Sequence, residues 1–231
     1  MLKKGYNIQF SRYFLVFSLI VLLGGCMAKD QGRSLYSGPP IESGKIVFLG
    51  FKPALSPGQE PTYFHNPMTG GSVRSEPVSQ SLTDIISDKL YTLLADAKDY
   101  EFINLREIKK LTDPSLFEAN SNDDIKIIQT IGKAVSADVA LSGYLYRIHE
   151  REGSEYAADS PASVAFDIYL ISVKDGQFLW KGSFDQTQKS LSENLLEFKT
   201  FLKFKGKWVD AGTLAEIGLK ELVSNMPLKN K

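Results

Sequence analysis

Few side chains in this chain could do chemistry: one thiol, Cys26, two imidazoles, His65 and His149, and one adjacent carboxylate pair, Asp123 and Asp124. A thiol can act as nucleophile, metal ligand, disulfide partner or acyl acceptor. A single cysteine rules out an intrachain disulfide and a cluster of thiolate ligands. A metal site would need both histidines together with carboxylates. His65 stands beside Asn66-Pro67 in a stretch rich in proline and glycine, and His149 stands among Arg147, Glu150, Arg151 and Glu152, so each reads as a surface histidine. Asp123 and Asp124 are neighbours and point in different directions on a helix, which suits charges at a helix start better than an acid–base pair. The chain has no glycine-rich phosphate loop opening a helix, no Gly-x-Ser-x-Gly and no His-Glu-x-x-His. The expectation is therefore a protein that is not an enzyme, with no cofactor and no metal.

The surroundings of Cys26 narrow the choices for its thiol. Lys3, Lys4 and Arg12 precede it with no acidic residue, followed by the eleven largely apolar residues Tyr13–Leu23 and then Gly24 and Gly25. This is the layout of an export signal: cations hold the N-terminus inside, the apolar run enters the bilayer, and glycines give a peptidase access. A membrane span needs about 20 apolar residues, whereas Tyr13 to Ala28 gives sixteen. Leu23-Gly24-Gly25-Cys26 resembles the lipobox of bacterial lipoproteins. The resemblance implies that the thiol of Cys26 takes a diacylglycerol, that residues 1–25 are removed and that the new amine is acylated, giving a stable three-chain anchor. Met27 stands where an aspartate would imply inner-membrane retention, so the resemblance points to the periplasmic face of the outer membrane. An uncleaved anchor and a non-lipidated signal stay open as alternatives.

Loss of residues 1–25 leaves 206 residues and takes the balance from 27 basic and 27 acidic to 24 basic against 27 acidic. A mildly acidic domain has no charge reason to bind nucleic acid or an anionic lipid surface. Residues 26–44 carry three glycines and two prolines without apolar periodicity and read as the lipidated cysteine and a flexible tether. As a coil its ends would lie about 25 Å apart, and about 60 Å when extended. The alternative is that part of it adds an edge strand.

Beyond the tether, Lys45–Phe51 reads as a buried strand and Lys52–Val78, with five prolines and three glycines, as a long loop. Leu82, Ile85, Ile86, Leu90, Leu93, Leu94 and Ala97 recur at helical spacing behind a Ser79 or Ser81 cap. Phe102-Ile103 reads as a strand, Leu105–Leu111 as a short helix, and Asn122-Asp123-Asp124 opens a helix with Ile125, Ile128, Ile131 and Val135 on one face. Asp138–His149 alternates as a strand does, and Val164–Val173 pairs through Lys174-Asp175-Gly176 with Gln177–Phe184. Two amphipathic segments follow, one with Leu191, Leu195, Phe198 and Phe201, the other with Leu214, Ile217, Leu222 and Val223. The order requires an α/β fold with a mixed sheet, because three consecutive strands without helices between them pair antiparallel.

Lys45-Ile-Val-Phe-Leu-Gly-Phe51, the helix Leu82–Leu90, Ala137-Asp138 through Gly143, and Val173-Lys-Asp-Gly-Gln-Phe-Leu-Trp180 resemble the domain shared by CsgG, LpoB and the N-terminal domain of TolB. The resemblance covers residues 45–186 and leaves 187–231 as a C-terminal helical extension packed on the same domain. It implies a single domain behind a lipidated tether that acts as a non-enzymatic interaction or assembly module of the cell envelope, with an envelope protein as partner and no set oligomeric state. A CsgG-like export component and a glycan-binding lipoprotein are the alternatives. A pore would need hairpin strands of about 9–11 residues, and neither Lys52–Val78 nor Glu150–Ala162 offers a pair of them. Candidate partner contacts are Gln186, Gln188 and Asn194, which equally suit capping by Ser190 or Ser192, and Lys205 and Trp208 in a basic aromatic turn that equally suits the core.

Overall fold

The structure is a computed structural model that describes residues 33–41, 44–95, 99–104, 123–153, 158–188 and 210–228. Cys26 with Leu23, Gly24 and Gly25, the expected helix at Leu105–Leu111, and Asn194, Lys205 and Trp208 lie outside the described residues.

Six strands form one sheet: β1 (Arg33–Ser37), β2 (Gly44–Pro53), β5 (Tyr100–Asn104), β6 (Val139–His149), β9 (Ser163–Ser172) and β10 (Phe178–Thr187), in the order β1-β10-β9-β6-β2-β5. β2 runs parallel to β5 and β6, and the remaining neighbours pair antiparallel, so the sheet is mixed and the fold is α/β. Two small ribbons stand outside it, β3 (Thr62–His65) with β4 (Ser72–Ser75), and β7 (Glu152–Gly153) with β8 (Ala158–Ser160). Three helices are present among the described residues: α1 (Gln80–Leu94), α2 (Asp124–Ala134) and α3 (Ala211–Ser224).

The period-two alternation of β6 sorts its side chains onto two buried faces. Val139, Leu141 and Leu145 join Ile46, Phe48, Phe166, Ile168, Trp180 and Phe184 beneath α1 and α3. Ala140, Tyr144 and Tyr146 join Val47, Ala165, Tyr169 and Ile171 beneath α2 and the β3–β4 ribbon, which lends Phe64, Met68 and Val73. Layers on both sides make the central strands continuously apolar. Two glycines permit the close approach this needs. Gly50 has φ 72° at a bulge, where the Phe51 amide donates to Ser87 Oγ of α1 at 2.9 Å. A Cβ on Gly143 would lie 2.5 Å from the Asp167 carbonyl and 2.7 Å from the Phe51 ring.

Helix starts follow local chemistry. Ser79 caps α1 by accepting from the Leu82 amide, and Asp210 caps α3 by accepting from Thr213. α2 is capped by Asp123, whose carboxylate accepts from the Ile125 and Lys126 amides. The cap thus falls one residue after Asn122, and Asp124 becomes the first helical residue.

Three expectations are corrected. Part of the segment expected as a tether instead follows the alternative of an added edge strand: Arg33–Ser37 pairs with β10, the Gly38 amide donates to the Leu179 carbonyl at 2.8 Å, and the Ile41 amide donates to the Pro227 carbonyl at 2.9 Å. Strand β10 would otherwise present an unpaired edge, and pairing satisfies it. The expected long loop Lys52–Val78 holds the β3–β4 ribbon, because its prolines and glycines punctuate two short strands around Asn66–Gly70. Glu150–Ala162, expected to be too short for two pore strands, holds the short β7–β8 ribbon. Ile85, expected on the core face of α1, is 53% exposed. The buried stripe runs through Thr83, Ile86, Ser87, Leu90 and Leu94, one step around the helix from Ile85.

Candidate functional site

Two polar assemblies and one groove are the features of the described residues that could carry function. The deeper assembly sits under the β3–β4 ribbon. Asn66 is fully buried at the ribbon turn, where its Oδ1 accepts from the amides of Met68 and Thr69 at 2.8 and 3.2 Å. Its two Nδ2 protons go to the hydroxyls of Tyr146 and Tyr169 at 2.5 and 2.6 Å. Each hydroxyl in turn donates to Asp167 Oδ2 at 2.7 Å. Every proton in this chain of contacts has one acceptor, which is what a buried polar network requires. Burial, and then the Asp167 charge, push the Tyr146 and Tyr169 hydroxyls well above the ordinary tyrosine range, so both stay neutral donors. The assembly pins the ribbon to the sheet.

The second assembly closes one end of the sheet, where β6 and β10 finish and β9 starts. Arg147 is 6% exposed and follows a bulge in β6. Its Nε donates to Ser163 Oγ at 2.6 Å, and its two amino groups donate to the Arg74 carbonyl at 2.7 Å and to Asp185 Oδ1 at 2.6 Å. One guanidinium thereby ties β4, β9 and β10 to β6, a geometry lysine could not reproduce. Ser163 Oγ also meets Thr187 Oγ1 at 2.6 Å and the Gln186 carbonyl at 3.4 Å.

Beside it, His149 Nδ1 lies 3.1 Å from Glu76 Oε2 and His149 Nε2 lies 2.7 Å from Ser160 Oγ. Hydroxyl, imidazole and carboxylate in this order are the parts of a nucleophile, its base and an orienting acid. Here each member comes from a different segment, the residue after β4, the end of β6 and the end of β8, so the contact fastens both ribbons to the sheet. Glu150 extends the same end toward α3 by accepting from the Ala211 amide at 3.2 Å. A carboxylate at that position also suits the positive end of the helix dipole.

Of the expected contact residues, Gln186 and Gln188 meet at this polar end. The Gln188 amide donates to the Ala162 carbonyl at 2.9 Å, and its side-chain Oε1 is buried without a hydrogen-bond partner among the described residues. Asp123 and Asp124 act at the start of α2. Asp124 meets Lys52 Nζ at 2.7 Å and accepts from the Tyr144 hydroxyl, which burial and then this carboxylate raise above its ordinary range. His65 is exposed and touches Ser72 Oγ at 3.3 Å. No three metal-ligating side chains group together among the described residues. Arg147 and Asn66 are the residues local pattern does not mark, since their partners are far away in sequence; a charged residue inside an otherwise apolar strand was the one available signal.

The groove lies between α1 and α3 and holds about 440 Å³, lined by Ile85, Asp88, Lys89, Thr92, Leu93 and Glu216. Glu216 bridges Lys220 at 2.6 Å and Lys89 at 3.6 Å. These lysines, Lys220 foremost, hold its carboxyl below the usual range.

No family model matches the chain, and no curated protein does. Among solved structures, a PelC dodecamer from Paraburkholderia phytofirmans is similar over 86% of this chain and 99% of that one, at 15% identity and a TM-score of 0.44. Lipoprotein GNA1162 from Neisseria meningitidis is similar over 69% of this chain and 91% of that one, at 13% identity and a TM-score of 0.36. The C-terminal domain of LpoB from Escherichia coli is similar over 74% of this chain and 94% of that one, at 11% identity and a TM-score of 0.35.

Proposed function

We propose that this chain is a lipid-anchored interaction module of the bacterial cell envelope, held by lipidated Cys26 on the periplasmic face of the outer membrane, and that it works by binding a protein partner without turnover. The observation that carries the reading is Leu23-Gly24-Gly25-Cys26 directly after a cationic and then apolar leader. The fold supports it in one respect. Both faces of the central sheet are buried under the protein's own helices and ribbon, so the strand ends, the helix groove and the outer faces are what remains for a partner. The export-pore alternative requires long hairpin strands. β3 and β4 have four residues each, and β7 and β8 two and three.

Crosslinking in intact cells tests the reading. A protein adduct that disappears when Cys26→Ser releases the chain from the membrane fraction is the expected result, and adducts to lipid alone would contradict it.

A further inference from the structure

Ile85 is 53% exposed, one of two large apolar side chains left open among the described residues. It stands on the outer face of α1, where Ser81, Ile85, Asp88, Thr92 and Ala95 are exposed at alternating spacings of four and three. That spacing is the seam of a helix pair, and the small side chains on it let a second helix come close. The seam borders the groove between α1 and α3, whose apolar lining comes from Ile85 and Leu93 and whose volume is about 440 Å³. Charges across the groove cancel: Asp88 and Glu216 stand with Lys89 and Lys220, and Glu216 bridges both lysines. Asp84, toward the N-terminal end of the seam, is held by Gln80 Nε2 at 3.0 Å. A neutral, partly apolar surface of this kind favours neither an anion nor a cation and fits a surface of its own composition.

The order of the two central charges selects the geometry. Asp88 and Lys89 are neighbours midway between Ile85 and Thr92. A parallel pair of α1 helices would set Asp88 against Asp88 and Lys89 against Lys89, with like charges opposed. An antiparallel pair about a two-fold axis between residues 88 and 89 sets each Asp88 against the Lys89 of the second copy, and each Ile85 against Thr92 and Leu93 of the second copy. Lys89 keeps 41% of its side chain exposed while it meets Glu216 at 3.6 Å, so its ammonium can serve a second carboxylate. We propose that α1 is a homodimer contact, in which two copies of this chain pair antiparallel through Ile85, Asp88, Lys89 and Thr92, and each Ile85 fills the α1–α3 groove of the other. α1 is about 22 Å long, and one helix pair of that length buries less than the roughly 800 Å² per partner of a stable complex. The dimer is therefore weak, and crosslinking or high concentration reveals it.

Two differently tagged copies of the full chain are co-expressed, one carrying Ile85→Cys and the other Thr92→Cys. Oxidation is expected to join them, because the two positions face each other across the axis. Two copies that both carry Ile85→Cys place these residues about 10 Å apart along the axis, outside disulfide reach, and are expected to stay separate. Cys26 is common to both arms and cannot produce a difference between them. A second arm follows sedimentation of the full chain in detergent and needs no added cysteine. Asp88→Lys alone and Lys89→Asp alone each oppose like charges across the axis and are expected to lose the dimer. An equal mixture of these two variants restores both ion pairs and is expected to regain it. Ile85→Lys, a change at an exposed position that leaves the core untouched, is expected to remove the wild-type dimer. Equal crosslinking of the two cysteine combinations, or a mixture no more dimeric than either charge variant alone, would overturn the inference and leave the groove to a different protein. So would a wild-type chain that stays monomeric at about 0.1 mM.

Discussion

Replacing Asn66 with alanine removes two donors to buried tyrosine oxygens and the acceptor that shapes the β3–β4 turn, without touching the sheet itself. Buried groups left without partners cost about 1–3 kcal/mol each, so Asn66→Ala is expected to lower unfolding stability by about 3 kcal/mol, measured by chemical denaturation. The tyrosines give a second readout. The unfolded chain ionises tyrosine near about pH 10, whereas Tyr146 and Tyr169 are held above that in the folded protein. Their stabilising contribution is thus complete below the unfolded value and is lost as pH rises above it. A spectrophotometric titration is expected to show these two hydroxyls ionising only with unfolding, and Tyr169→Phe to remove one from that late step. For the hydroxyl–imidazole–carboxylate contact, a fluorophosphonate serine probe is expected to leave Ser160 unmodified. Labelling that is lost in both Ser160→Ala and His149→Ala would assign it a catalytic role instead. The tyrosines were legible as strand positions, but their partner Asn66 is 80 and 103 residues away in the chain, a separation no local pattern spans.

At the level of elements, the strands with two buried faces and the capped helices followed from periodicity and cap chemistry, because those signals are local. The Ala137-Asp138 pair stands just before β6, where Asp138 Oδ2 accepts from the Lys45 amide at 2.9 Å and aligns β2 with β6. Gly143, which ends the same motif, lies against Asp167 and Phe51. Gly143→Ala is expected to cost about 2–3 kcal/mol, as overpacking of a filled interior does, with loss of the cooperative transition as the extreme result. β1 was legible only as the alternative reading of its segment, and the β3–β4 ribbon was not legible. Glycine and proline mark turns and tethers alike, and whether such a stretch is held depends on an edge or a face elsewhere offering it hydrogen bonds. Hydrogen exchange separates the two states of residues 33–37: slow exchange matching β10 is expected, and rapid exchange would return the segment to a free tether.

Across the whole molecule, the α/β sheet begins at Arg33 and finishes its helix layer with α3, whose Ala211, Leu214, Ala215, Leu219 and Leu222 lie in the main core. Helix α3 is thereby part of the domain's core. A domain that fills its own interior acts through its rim. The proposed envelope role depends on what becomes of Cys26, so intact-mass and peptide mass spectrometry of the protein purified from bacterial membranes is the most direct measurement. The expected result is an N-terminal peptide beginning at Cys26 and carrying a thioether-linked diacylglycerol and an amide-linked acyl chain. A chain that keeps residues 1–25, or one whose Cys26 thiol is free, would contradict the lipid anchor.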